Sequence, residues 1–368
     1  GLPQCKARII DQQTDGRLIL AKTSGYAFDI FGDTEIRNEY LYAYTRDLAE
    51  LLSQFLEFVL APRDHKHIVV RRSQLPTKFL TNTRGCPGHK CCTHGDYFRR
   101  CRVCWGVMRL ATWNVNSIRT RVERVIAFLE RADIDVLAMQ EIKCKPEQFP
   151  VEAFHEAGYE VRMHGLNQWN GVAVASRLPI VSTEVNFPGQ PGFGDPEVVE
   201  ARALGVTVLD GDQEVTTWSL YVPNGRELDH PHYTYKLRWL HALLEVGDTW
   251  LEQRRQIALV GDWNIAPYDH DVWDIKAFEG QTHVSQPERE AFFAFAQHGW
   301  DEVTRERVSQ YTYWDYQKLR FPKNEGMRID FIYASPQLAA RVTSASIDRD
   351  ERKGKGASDH VPVIIDLA

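Results

Sequence analysis

Cysteine is nearly absent from most of this chain. Six of the seven (Cys5, Cys86, Cys91, Cys92, Cys101 and Cys104) fall within residues 1–107, and only Cys144 lies beyond. That excludes a disulfide scaffold for the longer part and implies a reducing compartment. Methionine is missing from the other side: all four (Met108, Met139, Met163 and Met327) occur at or after position 108. Residue 108 therefore reads as the start of a self-contained unit. No apolar run is long enough to span a bilayer, so no membrane role is expected. Residues 1–15 lack the basic-then-apolar order of a secretory signal, which favours the cytoplasm.

At 368 residues, 43% apolar and 26% charged, the sequence has the make-up of a globular protein of one large or two ordinary domains. The net charge of -6 hides an asymmetry: 16 Lys+Arg against 11 Asp+Glu in 1–107, but 28 against 39 in 108–368. An acidic total does not exclude nucleic acid. A local basic strip can face the phosphates while a bound cation offsets the carboxylates.

The first 107 residues read poorly as a domain. Thr45 is placed to cap an amphipathic helix through Leu48, Leu51, Leu52, Phe55, Leu56 and Val59, which Pro62 would stop. Residues 62–107 then carry ten Lys+Arg against two acidic side chains, around Cys86, Cys91, Cys101 and Cys104. Those four thiolates, or three with His89 or His94, could enclose zinc. Only Cys101 and Cys104 have the common two-residue spacer, however. The alternatives are a disordered basic extension, or upstream sequence joined to a gene whose natural start is Met108.

From Met108 onward, apolar strand-like runs repeatedly end in polar groups. Leu110–Val115 ends in Asn114 and Asn116, with Ser117 as a cap for a helix bearing Val122, Val125, Ile126 and Leu129. Ile134–Met139 ends in Glu141. After further strands at 159–163, 171–176, 199–208 and 214–222, the last closes in Tyr221 and Asn224, and a long helix covers about 233–252. The run 256–260 leads into Gly261-Asp262-Trp263-Asn264, where spacing by two would aim Asp262 and Asn264 to one side of an extended segment. Asp330 sits in an apolar strand, where an unpaired carboxylate is costly, and His360, beside Asp359, is its expected partner. Strand-helix-strand units with polar ends imply an α/β scaffold aiming these groups into one cleft, suited to a hard divalent cation and a phosphate.

These blocks carry a resemblance. Trp113-Asn114-Val115-Asn116, Gln140-Glu141-Ile142-Lys143, Asn170-Gly171, Tyr221-Val222-Pro223-Asn224-Gly225, Gly261-Asp262-Trp263-Asn264, Tyr311-Thr312-Tyr313-Trp314, Arg328-Ile329-Asp330 and Ser358-Asp359-His360 are colinear with the exonuclease III family of abasic-site endonucleases. Ser-Asp-His is shared with the wider group that contains DNase I, inositol phosphatases and sphingomyelinases. Residues 1–107 resemble nothing in the family.

The resemblance implies a four-layer sandwich of two mixed β-sheets flanked by helices, formed by 108–368. It implies cleavage of double-stranded DNA 5′ to abasic sites, with 3′–5′ exonuclease and 3′-phosphatase activities on 3′-blocked ends. It also implies a monomer working in base excision repair at a bacterial nucleoid. Phosphodiester hydrolysis needs a positioned water, charge neutralisation on the phosphate and help for the departing oxygen. On that basis Glu141 is the expected ligand of Mg²⁺, or of Mn²⁺, assisted by Asn114 and Asp359. Asp262 would orient or deprotonate the water, with Asn264 holding the phosphate or that carboxylate. His360, set by Asp330, would donate to a phosphate oxygen, with Tyr221 and Asn224 completing the oxyanion contacts.

A small apolar pocket for a flipped, base-less sugar is assigned to Tyr313, Trp314, Met327 and Ile329. Met327 departs from relatives that place Trp there. Asn116, Lys143 and Arg226 are expected substrate contacts, with Arg119, Arg121, Lys353 and Lys355 as further phosphate contacts. Two rival functions stay open: a phosphatase of the same superfamily on a non-nucleic-acid ester, and a non-catalytic DNA-binding protein led by the basic, Cys-rich front.

Overall fold

In the computed structural model, the described residues are 107–368 and three short strands near the start, β1 (Ala7–Ile9), β2 (Leu18–Ala21) and β3 (Ala27–Phe28). Two compact units divide the chain, Gly1–Pro87 and Gly88–Ala368. In the first, β1, β2 and β3 form an antiparallel sheet in that order. The expected helix over 45–59 and the cysteine-rich stretch lie outside the described residues.

The second unit runs β4 (Met108–Asn114), α1 (Val122–Arg131), β5 (Val136–Gln140), α2 (Val151–Glu156), β6 (Glu160–His164), β7 (Val172–Ser176), β8 (Ile180–Val185), β9 (Ala203–Asp210) and β10 (Gln213–Tyr221). It continues through α3 (Pro231–Glu252), β11 (Gln256–Asp262), α4 (Gln286–Gln297), β12 (Asp301–Glu302), α5 (Arg320–Lys323), β13 (Asp330–Ala334), α6 (Pro336–Ala339), β14 (Val342–Ile347) and β15 (Val363–Leu367). Two six-stranded mixed sheets result, ordered β14-β15-β4-β5-β7-β6 and β12-β13-β11-β10-β9-β8.

The apolar strands run almost without interruption because both of their faces are covered. In β5, Val136 and Ala138 face the core between the sheets, while Leu137 and Met139 turn outward to Val125, Phe128 and Leu129 of α1. In β11, Ala258 and Val260 face the same inner core, while Ile257 and Leu259 turn to Trp239 and Leu243 of α3 and Phe292 and Phe295 of α4. The layers are therefore helix, sheet, sheet, helix, as the family resemblance implied.

Two local expectations fail. Ser117 makes no capping hydrogen bond; it leads into a 3-10 turn at Ile118–Thr120, and α1 begins after Arg121. Its φ of 86 belongs to a left-handed turn rather than the extended backbone of a cap residue. Asp262 and Asn264 do not share an extended segment either. Asn264 is left-handed, with φ 51, and its N–H donates to Asp262 Oδ1 at 2.9 Å. Their convergence comes from an Asx-type turn, not from strand alternation.

Candidate active site

Strand direction brings the polar ends together. β4 and β5 are parallel neighbours with Asn114 opposite Gln140, and β10 and β11 are parallel neighbours with Tyr221 opposite Asp262. The antiparallel β13 starts where β11 ends, so Asp330 lies opposite Asp262. The sheets are tied at this end by side chains: Gln140 Nε2 donates to Thr112 Oγ1 at 3.1 Å and, across the sandwich, to Ser219 Oγ at 3.0 Å. Gly261, with φ +147, permits the close approach of β11, since a Cβ there would lie 2.0 Å from the Leu220 carbonyl oxygen.

Asn114 sits at the centre. Its Nδ2 donates to Glu141 Oε1 at 2.9 Å and to Asp262 Oδ2 at 3.0 Å, linking carboxylates from opposite sheets. Glu141 Oε2 is 2.7 Å from Lys143 Nζ, which also donates to Asn116 Oδ1 at 2.7 Å. His360 Nδ1 is 2.9 Å from Asp330 Oδ2, the pairing expected of a buried carboxylate, and its Nε2 lies 3.7 Å from Asp262 Oδ2. Asn264 Nδ2 donates to the Val222 carbonyl at 2.9 Å, and its Oδ1 accepts from Asn224 Nδ2 at 3.2 Å.

Backbone strain concentrates here. Asn116, Glu141, Lys143, Arg226 and Asn264 all take positive φ between 43 and 63. Each left-handed non-glycine residue costs on the order of 1 kcal/mol, and such residues cluster where geometry serves function.

Charge is equally organised. Burial pushes Asp262 up to about 7, opposed by His360 and reinforced by Asp330 and Glu141. Burial works against a charged His360, but Asp330 and Asp262 outweigh it and raise its pKa to about 10, so it is an imidazolium with both nitrogens as donors. Glu141 is pushed up by burial, yet Lys143, Asn114 and His360 hold it below its usual value and ionised. Burial and the Glu141 charge keep the Tyr221 phenol protonated, and the Arg202 guanidinium packs 4.8 Å over its ring.

Glu141, Asp262 and His360 offer ligand atoms within 4.8 Å of one another. The two carboxylates are hard donors that fit Mg²⁺ or Mn²⁺, whereas Asn114 turns its Nδ2 to them and its Oδ1 accepts from the Asn116 N–H at 3.0 Å, so its oxygen does not face the cluster. A protonated His360 has no lone pair to give, so it fits beside such an ion and not on it. Asp359 stands apart from that cluster, its Oδ1 taken by Asn116 Nδ2 at 3.0 Å and Ser358 Oγ at 3.3 Å.

Tyr313, Met327 and Ile329 come together in an apolar cluster with Ala266 and Val272, and Tyr313 packs 4.9 Å from the His360 ring. Trp314 does not join them. It is buried against Phe321 with Arg349 over its face, because neighbouring side chains of an extended segment point to opposite sides. Arg226 is exposed beside His230 at 3.2 Å, and its N–H donates to Asn224 Oδ1 at 3.1 Å. Arg119 and Arg121 bind the Lys143 and Asn116 carbonyls, and Lys353 pairs with Asp350.

Sequence reasoning missed His283, Lys236 and Glu288. His283 Nε2 lies 3.1 Å from Asn264 Oδ1 and 3.2 Å from Asn224 Nδ2. Lys236 and Glu288 form a fully buried ion pair under the same loops. The one free cysteine among the described residues, Cys144, is buried, and burial raises its thiol to about 11, so it is inert at neutral pH.

A two-sheet sandwich with carboxylates, amides and an imidazolium gathered at one end is built to hydrolyse phosphate esters. The chain belongs to the endonuclease/exonuclease/phosphatase family, which its residues 111–360 match, and within it to the exonuclease III branch of nucleases. It is 27% identical over 267 residues to the exodeoxyribonuclease III of Haemophilus influenzae, covering 70% of this chain and 98% of that protein. Among solved structures, a Neisseria 3′ phosphatase bound to a product DNA hairpin is 31% identical with a TM-score of 0.65, covering 71% of this chain and 99% of that one. An AP endonuclease from Archaeoglobus fulgidus is 31% identical with a TM-score of 0.64, covering 70% and 98%.

Proposed function

We propose that the protein is a Mg²⁺-dependent DNA repair nuclease that cuts the phosphodiester 5′ to abasic sites in duplex DNA. Removal of 3′ blocks and 3′–5′ exonuclease activity would be secondary reactions of the same site. The observation that carries this reading is the meeting of Asp262 with the His360–Asp330 pair and the Asn114–Glu141 pair across the two sheets.

A water lying against Asp262 would lose its proton to that carboxylate, whose raised pKa suits a base working near neutrality. The water oxygen attacks phosphorus in line with the 3′ oxygen, the P–O3′ bond breaks, the departing oxygen takes a proton from solvent water, and a 3′-hydroxyl and a 5′-phosphate result. His360 Nε2–H and the neutral Tyr221 hydroxyl donate to the non-bridging oxygens, with Asn224 beside them. Asp330 holds the His360 ring by Nδ1. A divalent cation held by Glu141, with Asn114 and Asp359 assisting through water, would offset charge on the phosphate and on the departing oxygen. Tyr313, Met327 and Ile329 would take the flipped sugar.

The test is incision of an abasic duplex with Mg²⁺, using the full chain and a protein starting at Met108. Equal rates are expected, with activity lowered about 10³-fold in Asp262→Asn. Faster turnover of inositol phosphates or sphingomyelin than of abasic duplex would favour the non-nucleic-acid rival. Near-normal incision by Asp262→Asn would overturn the assignment of the base.

A further inference from the structure

A bulge in the extended run that carries Tyr313 creates a second concave site. The N–H groups of Thr312 and Tyr313 both donate to the Met327 carbonyl, at 2.8 and 2.9 Å, so two residues oppose one. The extra residue brings Tyr311 and Trp314 together, their rings 6.4 Å apart, while Tyr313 packs on His360. Tyr311 and Trp314 line a cavity of about 430 Å³, with Ser309, Gln310, Asn324 and Arg349 around it. That size lies within the range of roughly 300–1,000 Å³ that holds small organic ligands. Glu141, Asp262 and His360 do not line it, so it is separate from the hydrolytic cluster.

The wall of this cavity offers donors and no carboxylate. Trp314 is 1% exposed, and its Nε1–H finds no acceptor among the described residues. An indole nitrogen can only donate, so its burial is unfavourable until a ligand supplies an acceptor. A Cβ at position 326 would lie 2.5 Å from this nitrogen, and Gly326 leaves it without a covering side chain. Arg349 lies 5.3 Å over the Trp314 ring and 4.3 Å over the Phe321 ring. Its Nη2 donates to Asn324 Oδ1 at a long 3.4 Å, and it makes no ion pair among the described residues. Nearby carboxylates are engaged elsewhere: Asp271 with Arg305 at 2.6 and 2.8 Å, and Asp350 with Lys353 at 2.6 Å. Burial and the Asp271 charge raise the pKa of the Tyr311 phenol, which keeps it a donor as well.

We infer that this cavity binds the phosphate of a nucleotide, Arg349 supplying the charge and Trp314 Nε1–H, the Tyr311 hydroxyl and the Asn324 amide supplying direction. A guanidinium combined with convergent neutral donors suits a tetrahedral anion with many lone pairs. Arg349 covers a face of Trp314, so recognition falls on the phosphate and not on a stacked base. A free mononucleotide and a strand of DNA present the same group. The inference goes beyond the proposed nuclease reaction and concerns binding without turnover.

The experiment follows the Trp314 indole N–H by NMR in the full chain, its resonance assigned by its loss in Trp314→Phe. A chelator is present throughout, and sodium chloride holds ionic strength constant. Inorganic phosphate, a 5′-mononucleotide and an abasic duplex are titrated in turn. A saturable shift is expected, with half-saturation raised about tenfold or more in Arg349→Gln, whose melting temperature should stay within about 2 °C of wild type. Asn324→Asp, an exposed change that sets a negative charge beside Arg349, should weaken binding likewise and decides the matter if Arg349→Gln unfolds. Shifts with phosphate and mononucleotide alone identify a free nucleotide as the ligand; a shift with duplex that phosphate reverses identifies the DNA backbone. A resonance unmoved by all three overturns the inference, as does a shift that sodium chloride alone reproduces or that both variants leave unchanged. Because no turnover is measured, failure of the nuclease reading leaves this result standing.

Discussion

Replacing Lys236 by Met would leave the Glu288 carboxylate buried with its neutralising ammonium gone. Glu288 sits at about 2 against its ordinary 4.5: burial pushes it up, and Lys236, Ser285 and Thr282 pull it down further. That difference corresponds to roughly 3 kcal/mol favouring the ionised form in the fold. Lys236 shows the opposite balance, because burial lowers its pKa in spite of Glu288. The pair as a whole therefore contributes less than the Glu288 shift alone. Breaking one half should cost about 3–5 kcal/mol, while removing both charges should cost much less. For a unit of this size the single substitution lowers the melting temperature by roughly 6–20 °C. Calorimetry of Lys236→Met, Glu288→Gln and the double variant Lys236→Met/Glu288→Met checks this. A folded pKa below the unfolded one gives stability that is present above pH 4.5 and lost as pH falls through about 2, so acid unfolding of wild type should include this loss. A single variant within about 1 kcal/mol of wild type, or a double variant worse than either single one, would refute the reasoning.

Asp330→Asn should lower kcat by about 10² or more, since His360 loses the charge that keeps it an imidazolium donor; an NMR titration should show the His360 pKa falling from its raised position. Gly261→Ala should destabilise by roughly 2–3 kcal/mol in urea unfolding, because the added Cβ would meet the Leu220 carbonyl oxygen at 2.0 Å and force β11 off β10. Chelation should abolish incision, and added Mg²⁺ should restore it while raising the melting temperature of wild type; Glu141→Ala should lose that thermal response, and an equal response in both would remove Glu141 from the metal site.

The polar strand ends were legible because parallel pairing does the convergence automatically. Once Asn114 and Glu141 end one βαβ unit and Tyr221 and Asp262 another, the register Asn114–Gln140 and Tyr221–Asp262 puts each pair at one end of its sheet. What was not legible depended on side chains whose usual setting is solvent. Lys236 reads as a solvated helix residue until its position is noted: it falls on the buried stripe of α3 with Tyr233, Trp239, Leu240 and Leu243. A lysine at core spacing demands a buried counter-charge, and that signal was available. His283 had no such signal, since it lies between strands and helices and owes its place to Glu288 accepting its main-chain N–H. Trp314 was misplaced because its neighbour Tyr313 claims the cleft side of the same extended run.

Charge explains why this cleft calls for a cation before it can hold DNA. Glu141, Asp262 and Asp330 converge from three segments, and the positive groups touching them are Lys143 and His360. Lys143 is spent on Glu141, and His360 is shared between Asp330 and Asp262. Burial is the main cause of the raised pKa of Asp262, and the charges of Asp330 and Glu141 add to it against His360. A phosphate entering the site as it stands would meet like charge in a low dielectric, which costs several kcal/mol. A divalent ion held by Glu141 would offset that potential and favour the ionised form of Asp262, which a base needs. On the proposed reading, the acidity that makes 108–368 look unsuited to DNA would be what holds the ion that DNA binding needs.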